Sequence, residues 1–293
     1  MTIKKVLGIV GCQVLEDELS YIVASDIEVK NVLIIDETVQ QTIAKKIQRL
    51  APGKNVSCFD QNYDVKQFQL PNDMSVIIWL KPISLHQSPP LLREEVFKVV
   101  KKIEPLINSL LIFYGQCGKA FRNFEMLAQG ILVPVTILRD KDGALIDDCY
   151  GTELGGNEEY HKFLIEQRGP SYMLNSMWAA HWRNFMMETQ MLHDSNNVEE
   201  AKEIFKYMDY VTAVGLYNGL VDQTEFERQV EEFARIFDLQ AENHRGTLKI
   251  VEHSYVEAKG ILKVGGLAYY EAKKFLSSPI EVAKELFNKE SDK

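Results

Sequence analysis

The sequence of 293 residues lacks the short motifs that identify several common enzyme classes. It contains no Gly-x-Gly-x-x-Gly fingerprint, P-loop, Gly-x-Ser-x-Gly element or His-Glu-x-x-His helix, which are signatures of nucleotide-binding proteins, hydrolases and zincins. It also has no Cys-x-x-Cys pair, so a local metal motif is missing. Any chemistry must therefore come from residues that are far apart in the chain.

The chain also lacks a net positive charge and long apolar runs. The formal net charge is -9, which argues against a broad nucleic-acid footprint. No apolar run approaches the roughly 20 residues that span a bilayer, and residues 1–8 lack the length and cleavage site of a signal peptide. We therefore expect a cytoplasmic protein with no nucleic-acid or membrane partner. The four cysteines of such a protein are expected to be thiols, metal ligands or reactive groups, not disulfides.

The first half of the chain alternates between short apolar runs and amphipathic stretches. The strand-like runs are 6–10, 31–35, 56–59, 75–80, 110–114 and 132–138, and helical spacing is found at 38–50 and 92–107. Alternation of this kind indicates βαβ units, and strands that are apolar throughout are typical of strands covered on both faces. The fold class predicted is α/β, Rossmann-like, with a mostly parallel sheet and flanking helices.

The second half is more mixed, which predicts either one elaborated domain or two lobes. We assign residues 1–150 to a Rossmann-like lobe and 151–293 to a mixed helical and α/β lobe that packs on the first. Within the second, we predict a loop leading into a helix at 150–168, helices at 173–192, 198–208, 224–237 and 279–293, a strand at 210–216, and either a strand or a helix start at 248–251.

Three cysteines lie where a parallel sheet would bring distant residues together. Cys12 and Cys117 each end an apolar run, and Cys149 follows a third. Ligands of open α/β sheets bind beyond the carboxyl ends of the strands. Glycines, which permit sharp turns and close approach, adjoin these cysteines: Gly11, Gly115 and Gly118. We predict that the three thiols converge, and that the glycines help to bind a cofactor.

The chemistry of three converging thiolates leaves several alternatives open. They could hold a zinc ion with one free position, or three irons of a four-iron cluster. Without a metal, Cys117 could act as a nucleophile. Glu16, near Cys12, is the candidate general base, although capping its helix is the simpler role. Cys58 lies inside a strand-like run and is expected to be a core residue.

A helical stretch rich in aromatic and methionine residues offers a second candidate surface. Trp178, His181 and Trp182 follow the i, i+3, i+4 spacing and so share one face. They are candidates for binding a flat corrin or pterin ring. Such a stretch is more typical of a core or of an oligomer interface, and a homo-oligomer is one expectation.

Several short elements occur in order around the three cysteines. They are Gly11-Cys12 with Leu15 to Leu19, Tyr114 to Gly118, Asp148-Cys149 with Leu154-Gly155 and Tyr160, and Gly169 to Tyr172 with Trp178. On these elements, from about residue 6 to 255, the chain resembles an uncharacterised family known as domain of unknown function 1638. Two departures are Asp147, where relatives have histidine, and Lys119, where they have asparagine.

The resemblance implies a biological setting. The family occurs largely in methanogens and other anaerobes, often beside genes for corrinoid-dependent methyl transfer. We therefore expect a protein with a zinc or iron–sulfur site on Cys12, Cys117 and Cys149 that acts in anaerobic one-carbon or corrinoid-linked methyl metabolism. A corrinoid is a further expected cofactor, and a corrinoid protein or methyltransferase an expected partner. The alternative is a non-catalytic corrinoid-binding or methyltransferase accessory protein.

Overall fold

The computed structural model describes residues 5–68, 70–167 and 169–264. The helix predicted at 279–293 lies outside the described residues. The strands are β1 (Val6–Cys12), β2 (Asn31–Asp36), β3 (Asn55–Phe59), β4 (Ser75–Lys81), β5 (Ser109–Phe113), β6 (Val135–Ile137), β7 (Ser171–Leu174), β8 (Thr212–Tyr217) and β9 (Gln240–Arg245). The helices are α1 (Glu16–Ser25), α2 (Ile43–Leu50), α3 (Pro89–Ile103), α4 (Phe124–Leu127), α5 (Cys149–Leu154), α6 (Asn157–Glu166), α7 (Ser176–Glu188), α8 (Glu199–Tyr207), α9 (Gln223–Ile236) and α10 (Lys249–Val264).

Strands β1 to β6 form one sheet in the order β3-β2-β4-β1-β5-β6, and every pair is parallel. All residues of β1, β4 and β5 are buried, because apolar core clusters cover both faces of the sheet. The prediction of a Rossmann-like α/β fold with a mostly parallel sheet and flanking helices is confirmed.

A second parallel sheet has the order β7-β8-β9. Strands β7 and β9 were not predicted. A helix was expected at 173–192, and both of these bounds are wrong. Met173 and Leu174 instead pair with β8. Asn175 then caps the helix by accepting a hydrogen bond from the backbone N–H of Trp178 at 2.9 Å, so that α7 covers only Ser176–Glu188.

Two further expectations are corrected. Cys58 is exposed and not a core residue, because β3 is an edge strand whose residues are mostly exposed or partly exposed. The stretch predicted as a loop and a helix at 150–168 forms two helices, α5 and α6. They are separated by Gly155 and Gly156, whose φ angles of 94° and 137° suit glycine. The ambiguous run at 248–251 is the start of α10.

The core extends through both halves of the chain. One apolar cluster runs from the strands of the first sheet into an aromatic group in the second half, made of Tyr172, Trp178, Trp182, Phe205, Phe233 and Phe237. In the other cluster, Ile250, Val251 and Tyr255 of α10 pack with residues of β1 and β5. The division into lobes at residue 150 stays a prediction.

No helix in the described part of the chain is both long enough and apolar enough to cross a membrane.

The aromatic group predicts where the second half is most sensitive to substitution. Phe233 is 0% exposed and lies next to Phe205, Trp182 and Phe237. We expect Phe233→Ala to lower the free energy of unfolding by about 3–5 kcal/mol, measured by urea denaturation, because it leaves a cavity. Tyr207→Ala, at a side chain that is 86% exposed, is the control and should change it by less than about 0.5 kcal/mol. Equal effects of the two variants would contradict this assignment of the core.

Candidate functional site

The carboxyl ends of the central strands place the predicted cysteines at one edge of the large sheet. Cys12 is the last residue of β1, which lies between β4 and β5. In the parallel register Cys12 lies beside Lys81, and Gly11 beside Phe113. The chain leaving β5 therefore begins its turn toward Cys117 next to Cys12.

A close backbone contact then brings Cys149 to Cys117. The backbone N–H of Gln116 donates to the carbonyl of Ile146 at 2.6 Å, and that of Cys117 donates to the carbonyl of Asp147 at 3.0 Å. A Cβ atom on Gly115 would lie 2.6 Å from the Ile146 carbonyl oxygen, so glycine is required for this approach. The 115–117 segment is thus paired with 146–148, directly before Cys149.

Cys149 is the first residue of α5. Asp148 caps this helix, since its carboxylate accepts hydrogen bonds from the backbone N–H groups of Tyr150 and Gly151 at 2.9 and 3.0 Å. The Tyr160 hydroxyl donates to the other oxygen of Asp148 at 3.1 Å. These contacts hold the position of Cys149 relative to Cys117. The functional pairing of the two thiols stays a prediction.

Electrostatics indicate that the three thiols are neighbours. Burial raises the pKa of Cys12 to about 12, with a smaller contribution from the Glu188 carboxylate. Burial also raises the pKa of Cys117 and Cys149 well above the usual value. The charges of Cys12 and Asp148 raise the pKa of Cys117 further, and those of Asp148, Cys117 and Cys12 raise the pKa of Cys149 further. Without a bound cation, all three are therefore neutral thiols near pH 7.

Sequence reasoning missed His86. Its Nε2 lies 3.4 Å from the Sγ of Cys12. His86 belongs to a short 3₁₀ turn, Ile83–Gln87, that directly follows β4. Burial lowers its pKa to about 4, so the ring is neutral and can accept a proton or ligate a metal. Its position after the carboxyl end of a central strand was the sequence signal that could have found it.

Tyr114, the residue after β5, belongs to the same cluster. Its side chain is 1% exposed, and its hydroxyl has no hydrogen-bond partner among the residues that the structure describes. Burial raises its pKa well above the usual value, with contributions from Cys12 and Cys117. A buried hydroxyl without a partner calls for an explanation, and an absent ligand is one.

Glu16 is fully buried, and its contacts are with α2. It forms an ion pair with Lys46 at 2.8 Å and accepts a hydrogen bond from the Thr42 hydroxyl at 2.5 Å. Burial raises the pKa of this carboxyl, and Lys46 opposes the shift. The structure thus links Glu16 to Lys46, and its role as a general base stays a prediction.

The aromatic helix divides into two environments. Trp178 and Trp182 are both 6% exposed, and their rings pack edge-on against Phe185 and Phe233 respectively. His181 has non-helical backbone angles, with φ of -126° and ψ of 19°. It lines a separate cleft of about 250 Å³ with Lys46, Asp17 and Ser176 among others. The structure therefore places Trp178 in the core and His181 at a cleft.

The two positions that depart from the family pattern lie at the rim of the site. Asp147 accepts a hydrogen bond from the Gln116 side chain at 3.1 Å and lies 2.8 Å from the Nε2 of His161. A histidine is thus present beside the Asp-Cys element, although it comes from α6. Lys119 is exposed, with a left-handed φ of 74°.

Within residues 5–68, 70–167 and 169–264, no three His, Cys, Asp or Glu side chains are arranged so that they could hold a metal ion as they stand. The four groups Cys12, His86, Cys117 and Cys149 supply thiol and imidazole donors. A metal ion would therefore require rotation of at least some of these side chains.

These features define a Rossmann-like α/β protein with thiols and an imidazole at the carboxyl edge of its sheet. The family model described as Protein of unknown function (DUF1638) matches residues 80–255, and the chain belongs to this family. The matched part contains His86, Cys117 and Cys149, whereas Cys12 precedes it. No curated protein and no solved structure matches the chain.

The burial of the thiols predicts an order of chemical modification. We expect iodoacetamide at pH 7.5, in the presence of a chelator, to modify exposed Cys58 at least tenfold faster than Cys12 or Cys117, because reaction needs an accessible thiolate. Peptide mass spectrometry measures each rate. In Cys58→Ser the fast reaction should disappear, and modification of Cys117 as fast as that of Cys58 would contradict the buried site.

Proposed function

We propose that this protein binds a metal, as zinc or an iron–sulfur cluster, through Cys12, Cys117 and Cys149, with His86 beside them. The observation that carries the proposal is the distance of 3.4 Å between the Cys12 sulfur and the His86 Nε2, in a group that also includes the buried Cys117 and the partly buried Cys149. Thiolate and imidazole are the donors that zinc and iron–sulfur centres take from proteins.

The spacing of the first two donors suits a tetrahedral centre. With Zn–S near 2.3 Å and Zn–N near 2.0 Å, the sulfur and nitrogen of adjacent tetrahedral ligands are separated by about 3.5 Å. The observed separation of Cys12 Sγ and His86 Nε2 is 3.4 Å. Cys117 and Cys149 would complete the site by side-chain rotation, since as placed they do not form one with the others.

The raised thiol pKa values are compatible with this proposal. Metal ligands must be deprotonated, so a metal that binds here releases protons and its affinity rises with pH. A bound cation also reverses the effect of burial, because it supplies the positive charge that the desolvated thiolates lack. The buried hydroxyl of Tyr114 lacks a partner among the described residues, and in this proposal it would donate to a metal-bound thiolate, the kind of outer contact that orients metal ligands.

His86 determines what the centre could do. If His86 is the fourth zinc ligand, the site is closed, as in structural centres. If it stays unligated, one position is open to substrate and His86 can take up a proton beside it. In a four-iron cluster with three cysteine ligands, one iron has no cysteine, and His86 would either ligate that iron or leave it to substrate.

The wider role in this proposal is anaerobic one-carbon or corrinoid-linked methyl metabolism, and its support is the family setting alone. A corrinoid protein or methyltransferase is the proposed partner, and cytoplasmic location stays part of the prediction. The alternative is a non-catalytic corrinoid-binding or accessory protein.

Metal and sulfide analysis of anaerobically purified protein tests the proposal. We expect about one zinc, or about four irons with sulfide, per chain in the wild type. Cys117→Ser should lose most of this metal, because one of the three thiolate ligands is removed.

Cys58→Ser is the matched control, since Cys58 is exposed on β3, and it should keep the full metal content. His86→Ala separates the two forms of the site: retained metal indicates an open position, and lost metal a fourth ligand. A wild type that holds no metal, or equal metal in Cys117→Ser, would overturn the proposal. Metal-free protein that comigrates with a corrinoid protein would support the accessory role.

A further inference from the structure

Two fully buried carboxyl groups, those of Glu18 and Glu153, lie in one region of the fold: the Asn218 side chain, which bonds to Glu18, and the backbone of Glu153 both adjoin Gly246. Both residues are 0% exposed, and the charge of Glu18 acts directly on Glu153. One oxygen of Glu18 accepts a hydrogen bond from the Asn218 side chain at 2.6 Å. Its other oxygen and both oxygens of Glu153 have no hydrogen-bond partner of normal geometry in the described ranges. Three carboxylate oxygens therefore lack the donors that burial requires.

The charged groups around this pair do not neutralise it. Asp17 is a further carboxylate that acts on both Glu18 and Glu153. Lys46 is the cation that acts on Glu18, but its ammonium group already contacts Glu16 at 2.8 Å and Asp17 at 2.6 Å. Two desolvated carboxylates beside a third cannot all be ionised at low cost, so the pair needs a cation or a proton.

The neighbouring amides favour a proton over a metal ion. The oxygen of Asn175 accepts from the backbone N–H of Trp178, and the oxygen of Asn218 accepts from that of Leu220 at 3.2 Å. The NH₂ group of Asn218 donates to Glu18. The NH₂ group of Asn175 donates to the carbonyl of Val14 at 2.7 Å and also lies close enough to stabilise the ionised form of Glu153. Magnesium and calcium would instead need oxygen donors.

We propose that Glu18 and Glu153 hold at least one proton between them at neutral pH and act as a pH-sensitive latch between α1 and α5. Because α1 and α5 adjoin two of the site cysteines, a movement of these helices would also affect the thiol site. Helix α5 begins at Cys149, and α1 is separated from Cys12 by a single turn, Gln13–Leu15. Loss of this proton would push apart the two helices that adjoin these cysteines. The latch does not depend on a metal, and only its effect on the site rests on the proposed function.

The sign of the pH dependence follows from burial. Desolvation raises the pKa of Glu18 to about 8, and that of Glu153 well above the ordinary value. A carboxyl group whose pKa is higher in the folded state stabilises the fold at acid pH, and this stabilisation is lost as the pH rises toward the folded pKa. Raising the pH from 6 to 9 should therefore destabilise the wild type.

The test is thermal unfolding of the metal-free full chain at pH 6 and pH 9. We expect the melting temperature of the wild type to fall by at least 5 °C between these values. Glu153→Gln removes the charge but keeps the shape of the side chain. Its melting temperature should fall by less than half as much as that of the wild type between pH 6 and pH 9. Glu166→Gln, at a side chain that is 64% exposed on α6, is the control and should match the wild type.

An infrared measurement keeps the proposal testable if Glu153→Gln does not fold. The wild type at pH 7 should show the C=O band of a buried protonated carboxyl group, and this band should weaken as the pH is raised from 7 to 9. Absence of the band at pH 7, or an equal fall of the melting temperature in the wild type and Glu153→Gln, would overturn the proposal.

The melting temperature measured with added magnesium or calcium chloride is a separate test of whether a metal cation binds at this pair. A rise in the melting temperature of the wild type with either salt, absent in Glu153→Gln, would show that a cation and not a proton holds the pair, and would also overturn the proposal. Because all of these measurements use metal-free protein, their outcome is independent of whether the thiol site binds zinc or iron.

Discussion

The pairing of two backbone segments after the central strands organises the candidate site. Gln116 and Cys117 donate hydrogen bonds to the carbonyls of Ile146 and Asp147, and the absence of a side chain at Gly115 allows the approach. Because β5 lies beside β1, this contact joins a turn that starts near Cys12 to the start of α5 at Cys149. Without it, the third cysteine would have no defined position relative to the other two.

The structure buries several ionisable groups in addition. The thiols of Cys12, Cys117 and Cys149 are held neutral by desolvation, as is at least one carboxyl of the Glu18 and Glu153 pair. Such groups cost free energy unless a proton, a metal ion or a hydrogen bond compensates them. The thiol group follows the carboxyl ends of β1, β4 and β5, so buried ionisable groups that need a proton or a metal ion are found at this edge of the large sheet.

The fold class was predictable because the strands of the large sheet are apolar on both faces and alternate with amphipathic helices. The small sheet was not predictable in the same way. The four residues of β7 run directly into a helix of similar composition, so no change in the apolar pattern marks the boundary at Asn175. Strand β9, Gln240–Arg245, is exposed along its whole length and carries no alternating apolar pattern. Cys58 was misassigned because local sequence does not distinguish an edge strand from a central one.

The sequence by itself determined the family, the parallel α/β class and the short motifs that contain Cys12, Cys117 and Cys149, since strand periodicity and motif order are local properties of the chain. Only the tertiary structure decided that His86 lies beside Cys12, that Trp178 belongs to the core, and that Glu18 and Glu153 are both fully buried. The contact of His86 with Cys12 joins residues that are far apart along the chain. The burial of the other residues depends on which face of a helix packs against its neighbours. Such relations arise from the packing of elements against one another, and no local pattern encodes them.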